Sequence, residues 1–278
     1  MTPNAMTTTH HRPHWPLSFA SAAIVALVTF SGLSSARAAD CPRAGTLGVS
    51  RVLAVDAKTF PRVGLKSFPQ TLPLADHEVV LTFDDGPSPT TTPKVLAALA
   101  QECVHATFFV IGKSAAAFPK LVRQAAAEGH TIGHHSWSHP QASKMTFDQE
   151  VADIDRGIAA NEKALHGVST ATPSTPFFRF PYFESTPATL DLLQSRGIVV
   201  FGADFWASDW EKMTPDQELK LVTERLRAAG KGIILFHDPK ERTAAMMPAF
   251  LRYLRDNGYR VVHVVPATQL QRNAGARP

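Results

Sequence analysis

From Glu78 onward, short apolar runs alternate with longer amphipathic segments. The runs cover 79–83, 106–111, 130–133, 177–180, 198–202, 232–236 and 260–264, and they predict strands. The segments between them, 93–102, 118–128, 147–166, 187–196, 215–229 and 244–256, predict helices. The punctuation agrees. Thr92-Pro93, Thr186-Pro187 and Thr214-Pro215 each set a capping hydroxyl before a proline suited to a first helical turn. Gly129, Gly197, Gly230 and Gly258 each follow a predicted helix and precede a predicted strand, where a left-handed residue can end the helix. Strand and helix alternate about seven times, which implies parallel strands with helical crossovers.

Two architectures satisfy that alternation, an open doubly wound sheet and a barrel. The polar residues discriminate between them. Asp84 and Asp85 end the first strand, His135 and His139 follow the third, Arg179 ends the fourth, Asp204 and Asp209 follow the fifth, and His237 ends the sixth. In an open sheet these positions would spread along an edge, whereas in a barrel they converge on one mouth. The expected fold class is therefore α/β, a (β/α) barrel of about seven parallel strands, over residues 76–268.

The flanks differ from this core. Residues 39–75 carry Pro42, Pro61, Pro69 and Pro73 with weak periodicity, and they read as an extension packed over the domain, with a strand near 49–55. Residues 17–33 are apolar or small throughout, and Ala36-Arg37-Ala38 follows. That order reads as a secretory signal over residues 1–38, cleaved after Ala38, although an uncleaved anchor has similar length. The mature chain is then expected in the periplasm or secreted, with no lasting membrane insertion, and residues 269–278 form a tail. Cys41 and Cys103 could form a disulfide in such a compartment, or remain an exposed and a buried thiol.

Composition fits a globular protein, with 44% hydrophobic and 19% charged residues among 278. The formal charge is +4, and removing Arg12 and Arg37 with the signal lowers it to +2. No basic cluster with interleaved aromatics appears, so nucleic acid is not an expected partner. No coiled-coil pattern argues for an oligomer, and a monomer is expected.

The candidate chemistry sits at the strand ends. Asp84-Asp85-Gly86-Pro87 can direct one carboxylate to a metal and the other to a substrate, although a turn with Asx hydrogen bonds has the same composition. His135 and His139 are four apart and can meet one divalent ion, a spacing that ordinary surface histidines also show. His134 beside them reads as a strand-end or supporting residue. Asp85, His135 and His139 together would leave positions open for water and substrate, as catalytic metal sites do. Arg179, within Phe178-Arg179-Phe180-Pro181-Tyr182, needs a carboxylate if buried, and Asp84 is the obvious one. Trp206 and Trp210 beside Asp204 and Asp209 suit sugar faces, or else core packing. His237 ends a buried strand and can donate a proton near neutral pH.

Each signal is modest alone, but their joint order resembles the five motifs of the polysaccharide deacetylase family, carbohydrate esterase family four. The resemblance covers about residues 76–268. It implies a distorted, incomplete (β/α) barrel and a metal-dependent hydrolysis that removes acetyl groups from N-acetylated sugars of an oligo- or polysaccharide. An O-deacetylase of the acetylxylan type and a non-catalytic sugar-binding relative are the alternatives. By the resemblance, Asp84 is the general base and Asp85, His135 and His139 hold the metal. Arg179 orients the base, and the backbone N–H of Tyr182 helps to hold the oxyanion. His237 is the general acid, and Trp210 walls the groove. Zinc is the first expectation, with cobalt, manganese or nickel open, because carboxylate–imidazole sites accept several ions. One departure leaves a question: four residues separate Asp204 from Asp209 where the family usually has two, so either acid could tune His237.

Overall fold

The computed structural model describes residues 43–170 and 172–269. The expected signal segment, Cys41 of the expected disulfide and residues 270–278 of the expected tail lie outside the described residues. In chain order come β1 (Arg51–Val55), β2 (Arg62–Val63), β3 (Glu78–Asp84), α1 (Thr92–Gln101), β4 (Thr107–Val110), α2 (Gly112–Ala117), α3 (Pro119–Ala127), β5 (Thr131–His134), α4 (Phe147–His166), β6 (Phe177–Phe178), α5 (Pro187–Ser195), β7 (Val199–Phe201), β8 (Phe205–Trp206), α6 (Pro215–Ala229), β9 (Gly232–His237), α7 (Glu241–Asp256) and β10 (Arg260–Pro266). Among them no helix is long and apolar enough to cross a membrane.

Seven strands, in the order β8-β9-β3-β4-β5-β6-β7, form a curved wall in which every pairing is parallel. Among the described residues β7 and β8 are consecutive but unpaired, so the wall does not close. The fold is α/β, an incomplete (β/α) barrel. The extension spans the opening. β2 pairs with β7, Gly202 N–H donates to Val63 O at 2.6 Å, and Lys66 N–H donates to Ala203 O at 2.9 Å.

The run at 260–264 does not extend the wall as the alternation suggested. β10 meets only Glu78 and Val79 of β3 and pairs along its length with β1 from the extension. The reason is its apolar face: Val262 and Val264 join Leu53, Val55, Val80, Phe109 and Phe201 in one inner cluster. β1 and β10 thereby stopper the end of the barrel where the strands begin. β8 takes the seventh place in the wall, a two-residue strand too short to stand out in the sequence.

Strand β3 shows how the layers arise. Val79, Leu81 and Phe83 pack outward with α1 and α7, whereas Val80 packs inward. Period-two alternation therefore turns Thr82 and Asp84 inward as well. Burying each large apolar side chain stabilises by roughly 1.5–3 kcal/mol.

The helix ends follow the caps at Thr186 and Thr214, which both form capping boxes, as does Thr146 before α4. Thr92 is a correction: Thr91 occupies the cap position of α1 and its side chain caps nothing. Thr92 instead accepts the Ser88 N–H at 2.7 Å and donates to the buried Asp238, because that acid needs a donor more than the helix end does. Gly129, Gly197, Gly230 and Gly258 all have positive φ.

At the stoppered end three imidazoles meet. His105 lies 5.8 Å from His130 and 5.2 Å from His263, ring centre to centre. His130 Nδ1 accepts the Ala106 N–H, and Thr131 donates its hydroxyl hydrogen to Val264 O, so His263 Nε2 must donate to Thr131. The accepting Nδ1 fixes the His130 ring as neutral, whereas the donating Nε2 sets the orientation of His263. Burial, and then the neighbouring imidazoles, push His130 and His263 down to about 3. In the unfolded chain they protonate near 6.5, so the stability they permit is complete above that pH and is lost progressively toward pH 3. We expect folding stability to fall by roughly 1.4 kcal/mol per pH unit per histidine as pH drops below 6. Denaturant midpoints measured from pH 7 to 5 check this, and the slope should flatten in a His130→Asn, His263→Gln double variant.

Candidate active site

The polar strand ends converge on a cleft of about 600 Å³. Asp84, Asp85, His135, His139 and His237 line it together with Phe180, Tyr182, Phe183, Trp206, Trp210, Leu235 and Lys240. Asp84 is the last residue of β3 and faces inward by alternation. Asp85 follows with φ 73°, a left-handed turn that keeps its carboxylate on the same side rather than sending it outward.

Asp85 Oδ1 lies 3.4 Å from His135 Nε2 and 3.2 Å from His139 Nε2. The candidate ligand atoms of the three residues all fall within 4.8 Å of one another. His135 Nδ1 sits 2.7 Å from the carbonyl of Arg179, which can only accept. In the neutral ring Nδ1 therefore carries the hydrogen, and Nε2 turns a lone pair toward a carboxylate oxygen. Asp85 Oδ1 is buried and has no hydrogen-bond partner. Two acceptors facing each other in a buried pocket repel unless a cation lies between them, and a nitrogen–nitrogen–oxygen set suits a divalent ion with open positions. The residues present thus fit a metal. Burial alone would raise Asp85, but His135, His237 and His139 hold its carboxyl well below the usual range. Burial and the charge of His135 lower His139.

Arg179 is fully buried. Its Nη1 donates to Asp84 Oδ1 at 2.7 Å and to Thr82 Oγ1 at 2.8 Å, Nη2 donates to Gly202 O at 2.7 Å, and Nε to Phe201 O at 3.3 Å. The guanidinium also lies over the Phe109 ring, 4.3 Å from its centre. Asp84 is thereby held with one oxygen occupied and the other 3.8 Å from His135 Nε2.

His237 faces the cleft from the end of β9, with Nε2 4.0 Å from Asp85 Oδ2. Behind it, Asp209 Oδ1 meets Nδ1 at 2.7 Å and Oδ2 accepts the His237 backbone N–H at 2.7 Å. Burial opposes a charge on this ring, but Asp209 and then Asp85 and Asp84 outweigh it and push His237 up to about 9. The question left by the spacing of the two acids is answered by position. Asp204 does not reach His237. Its oxygens accept Leu65 N–H, Ile233 N–H and the Thr71 hydroxyl at 2.7–2.9 Å, so it holds the extension across the opening of the barrel.

Trp210 is 47% exposed and stands edge-on to His237 at 5.7 Å, available to a ligand in the cleft. Trp206 is more enclosed, stacked on Phe183 at 6.0 Å with Lys66 5.5 Å from its ring centre. Tyr182 is exposed, packs against His139 at 4.6 Å and has φ 56°. His134 is fully buried on the opposite face of β5, where Asn161 donates to its Nδ1.

With this geometry the chain can be compared with known proteins. The family described as polysaccharide deacetylase matches residues 72–201. A chitooligosaccharide deacetylase of Sinorhizobium fredii is 30% identical over 194 residues, which are 65% of this chain and 87% of that one. The chain belongs to the polysaccharide deacetylase family. The peptidoglycan N-acetylglucosamine deacetylase PgdA of Listeria monocytogenes is 33% identical over 191 residues, 68% of this chain but only 38% of that protein's length. Among solved structures, the Bdellovibrio bacteriovorus peptidoglycan deacetylase Bd3279 superposes with a TM-score of 0.70 at 31% identity, covering 84% of this chain and 64% of that one.

Two supporting residues of this deacetylase-family site carried no sequence signal. Asp153 on α4 accepts Trp137 N–H at 2.9 Å and the Ser138 hydroxyl at 2.7 Å, and so holds the loop between His135 and His139. One turn on, Gly157 lets α4 touch that loop: a Cβ there would overlap the Ser136 carbonyl carbon. If the Asp85, His135 and His139 set holds a divalent ion, replacing Gly157 by Ala should weaken its binding by about tenfold or more, read by calorimetric titration of the metal-free protein. Arg179→Met keeps bulk but leaves Asp84 as an unpaired buried anion. We expect a loss of roughly 3–5 kcal/mol in unfolding free energy, measured by denaturant titration.

Proposed function

We propose that this protein is a metal-dependent N-deacetylase acting on N-acetylated sugars of an oligo- or polysaccharide outside the cytoplasm, releasing acetate. The observation that carries this reading is one cleft faced by three groups: the Asp85–His135–His139 set, the Arg179-bound Asp84, and the Asp209-bound His237. The names of relatives that act on peptidoglycan N-acetylglucosamine and on chitooligosaccharides support the same class of substrate. An apolar stretch at 17–33 followed by Ala36-Arg37-Ala38 supports export.

Asp85, His135 and His139 would hold a divalent ion, zinc by first expectation. The chemistry such an ion supplies is activation of water and polarisation of the acetyl carbonyl. The remaining work falls to the chain's own groups. Asp84 takes the proton of the attacking water, held in orientation by Arg179. The Tyr182 N–H, which the family resemblance makes the donor to the developing oxyanion, belongs to a turn in which Tyr182 and Phe183 both have positive φ. His237, kept protonated by Asp209, gives its Nε2 proton to the leaving nitrogen. An amine departs poorly without that proton, whereas an alkoxide from an ester needs it less. The firm His237–Asp209 pair therefore favours amide over ester substrates. Trp210 supplies an exposed ring against which a sugar face can pack.

Acetate release from N-acetylglucosamine oligomers and peptidoglycan, with acetylated xylan as the ester control, tests the reading. Release that a chelator abolishes and zinc restores is expected. Asp85→Ala should lose both metal and activity. His237→Ala should keep metal yet lose about 10²- to 10⁴-fold in kcat on amides, with a smaller loss on esters. Full amide activity in His237→Ala would remove that residue from the mechanism.

A further inference from the structure

Behind His237 lies a second buried acid. Thr243 Oγ1, on α7, is 2.8 Å from Asp209 Oδ2 and 3.0 Å from Glu218 Oε1, on α6. All three residues are buried. A threonine hydroxyl carries one hydrogen and two lone pairs, so it cannot donate to two carboxylates at once. One of the two acids must hold a proton and give it to Thr243.

The surroundings decide which. Asp209 already accepts two hydrogens from His237, at its ring and at its backbone, and both favour the anion. Glu218 has no such support: its Oε2 is buried without a partner. The charged groups facing Glu218 are Asp209 from the loop after β8, Arg242 from α7 and His237 from β9. Arg242 is engaged with the carbonyl of Glu211. Burial first, and then the charge of Asp209, push the Glu218 carboxyl up to about 8. The hydrogen count and the environment therefore agree. Glu218 is the acid that carries the proton, Thr243 accepts it, and the Thr243 hydrogen goes to Asp209.

We propose that Glu218 is a positioning residue for the deacetylase centre, acting through Thr243 to fix the Asp209 carboxylate against His237. This rests on the reading of His237 as the proton donor. The chain of bonds is directional and leaves Asp209 no second orientation. It also pins α6, α7 and the end of β9 at the point where His237 must be aimed. No proton needs to travel along it, since its effect is to keep His237 Nδ1 bonded and Nε2 toward the cleft.

Two measurements on the full chain test this. An infrared difference spectrum at pH 7, wild type against Glu218→Gln, should show the C=O band of a protonated carboxyl that vanishes with the substitution. In acetate-release kinetics, Glu218→Ala and the shape-conserving Thr243→Val should lose roughly 10- to 100-fold in kcat with KM unchanged. Glu218→Gln, whose amide can still donate to Thr243, should recover most of that loss. Absence of the band overturns the proposal, as does an unchanged kcat in Glu218→Ala or a Glu218→Gln variant as slow as Glu218→Ala. The band is read without substrate. A wild type that releases no acetate would therefore count against the deacetylase reading, while the spectrum still decides the protonation of Glu218.

Discussion

The guanidinium of Arg179 sits inside the barrel without solvent contact, and its charge is tolerable there only because four bonds and an aromatic face receive it. Those bonds reach Thr82 and Asp84 on β3 and the backbone carbonyls that end β7. The residue itself follows β6, so one side chain ties three strands of the wall at the height of the cleft. Its main chain acts as well, because the Arg179 carbonyl takes the Nδ1 hydrogen of His135. The orientation of Asp84 and the lone-pair direction of His135 thus depend on a single residue. Asp84 and His135 cannot drift apart without moving β6.

Around that anchor the backbone is held in conformations that side-chain-bearing residues avoid. Among the described residues eight non-glycine residues have positive φ, and six of them, Asp85, Ser136, His139, Tyr182, Phe183 and Ser208, lie in the loops at the mouth of the barrel. Strain of this kind persists where the surroundings over-determine it. Here the supports are visible: Asp153 and Gly157 of α4 beneath the His135–His139 loop, and Arg225 on Ser208 and the Trp206 carbonyl. The helices of the outer layer do more than cover the sheet, since they hold the cleft loops in shapes the loops would not adopt alone.

The two carboxylates at the end of β3 and the two acids after β7 make a useful contrast. Asp84 and Asp85 are adjacent and both reach the cleft, because a left-handed residue undoes the alternation of the strand. Asp204 and Asp209 are five apart and do different work. Asp204 closes a gap in the barrel wall through backbone donors. Asp209, past the short strand β8, turns back to His237.

The sequence by itself determined the alternation of strand and helix, the caps at Thr186 and Thr214, and the gathering of Asp84, Asp85, His135, His139, Arg179 and His237 at strand ends. These are local matters: period, turn chemistry and residue type are written within a few positions of each other. Tertiary structure alone decided that β10 stoppers the barrel rather than completing it, that Thr92 serves Asp238 instead of its helix, and that Asp209 rather than Asp204 meets His237. The same holds for Glu218, Thr243 and Gly157, whose importance lies in contacts with residues far along the chain. Each of these turns on which buried polar group finds a partner or which backbones can touch. Such pairings are settled only when distant segments pack, because a donor's best acceptor depends on what else competes for it in the folded interior.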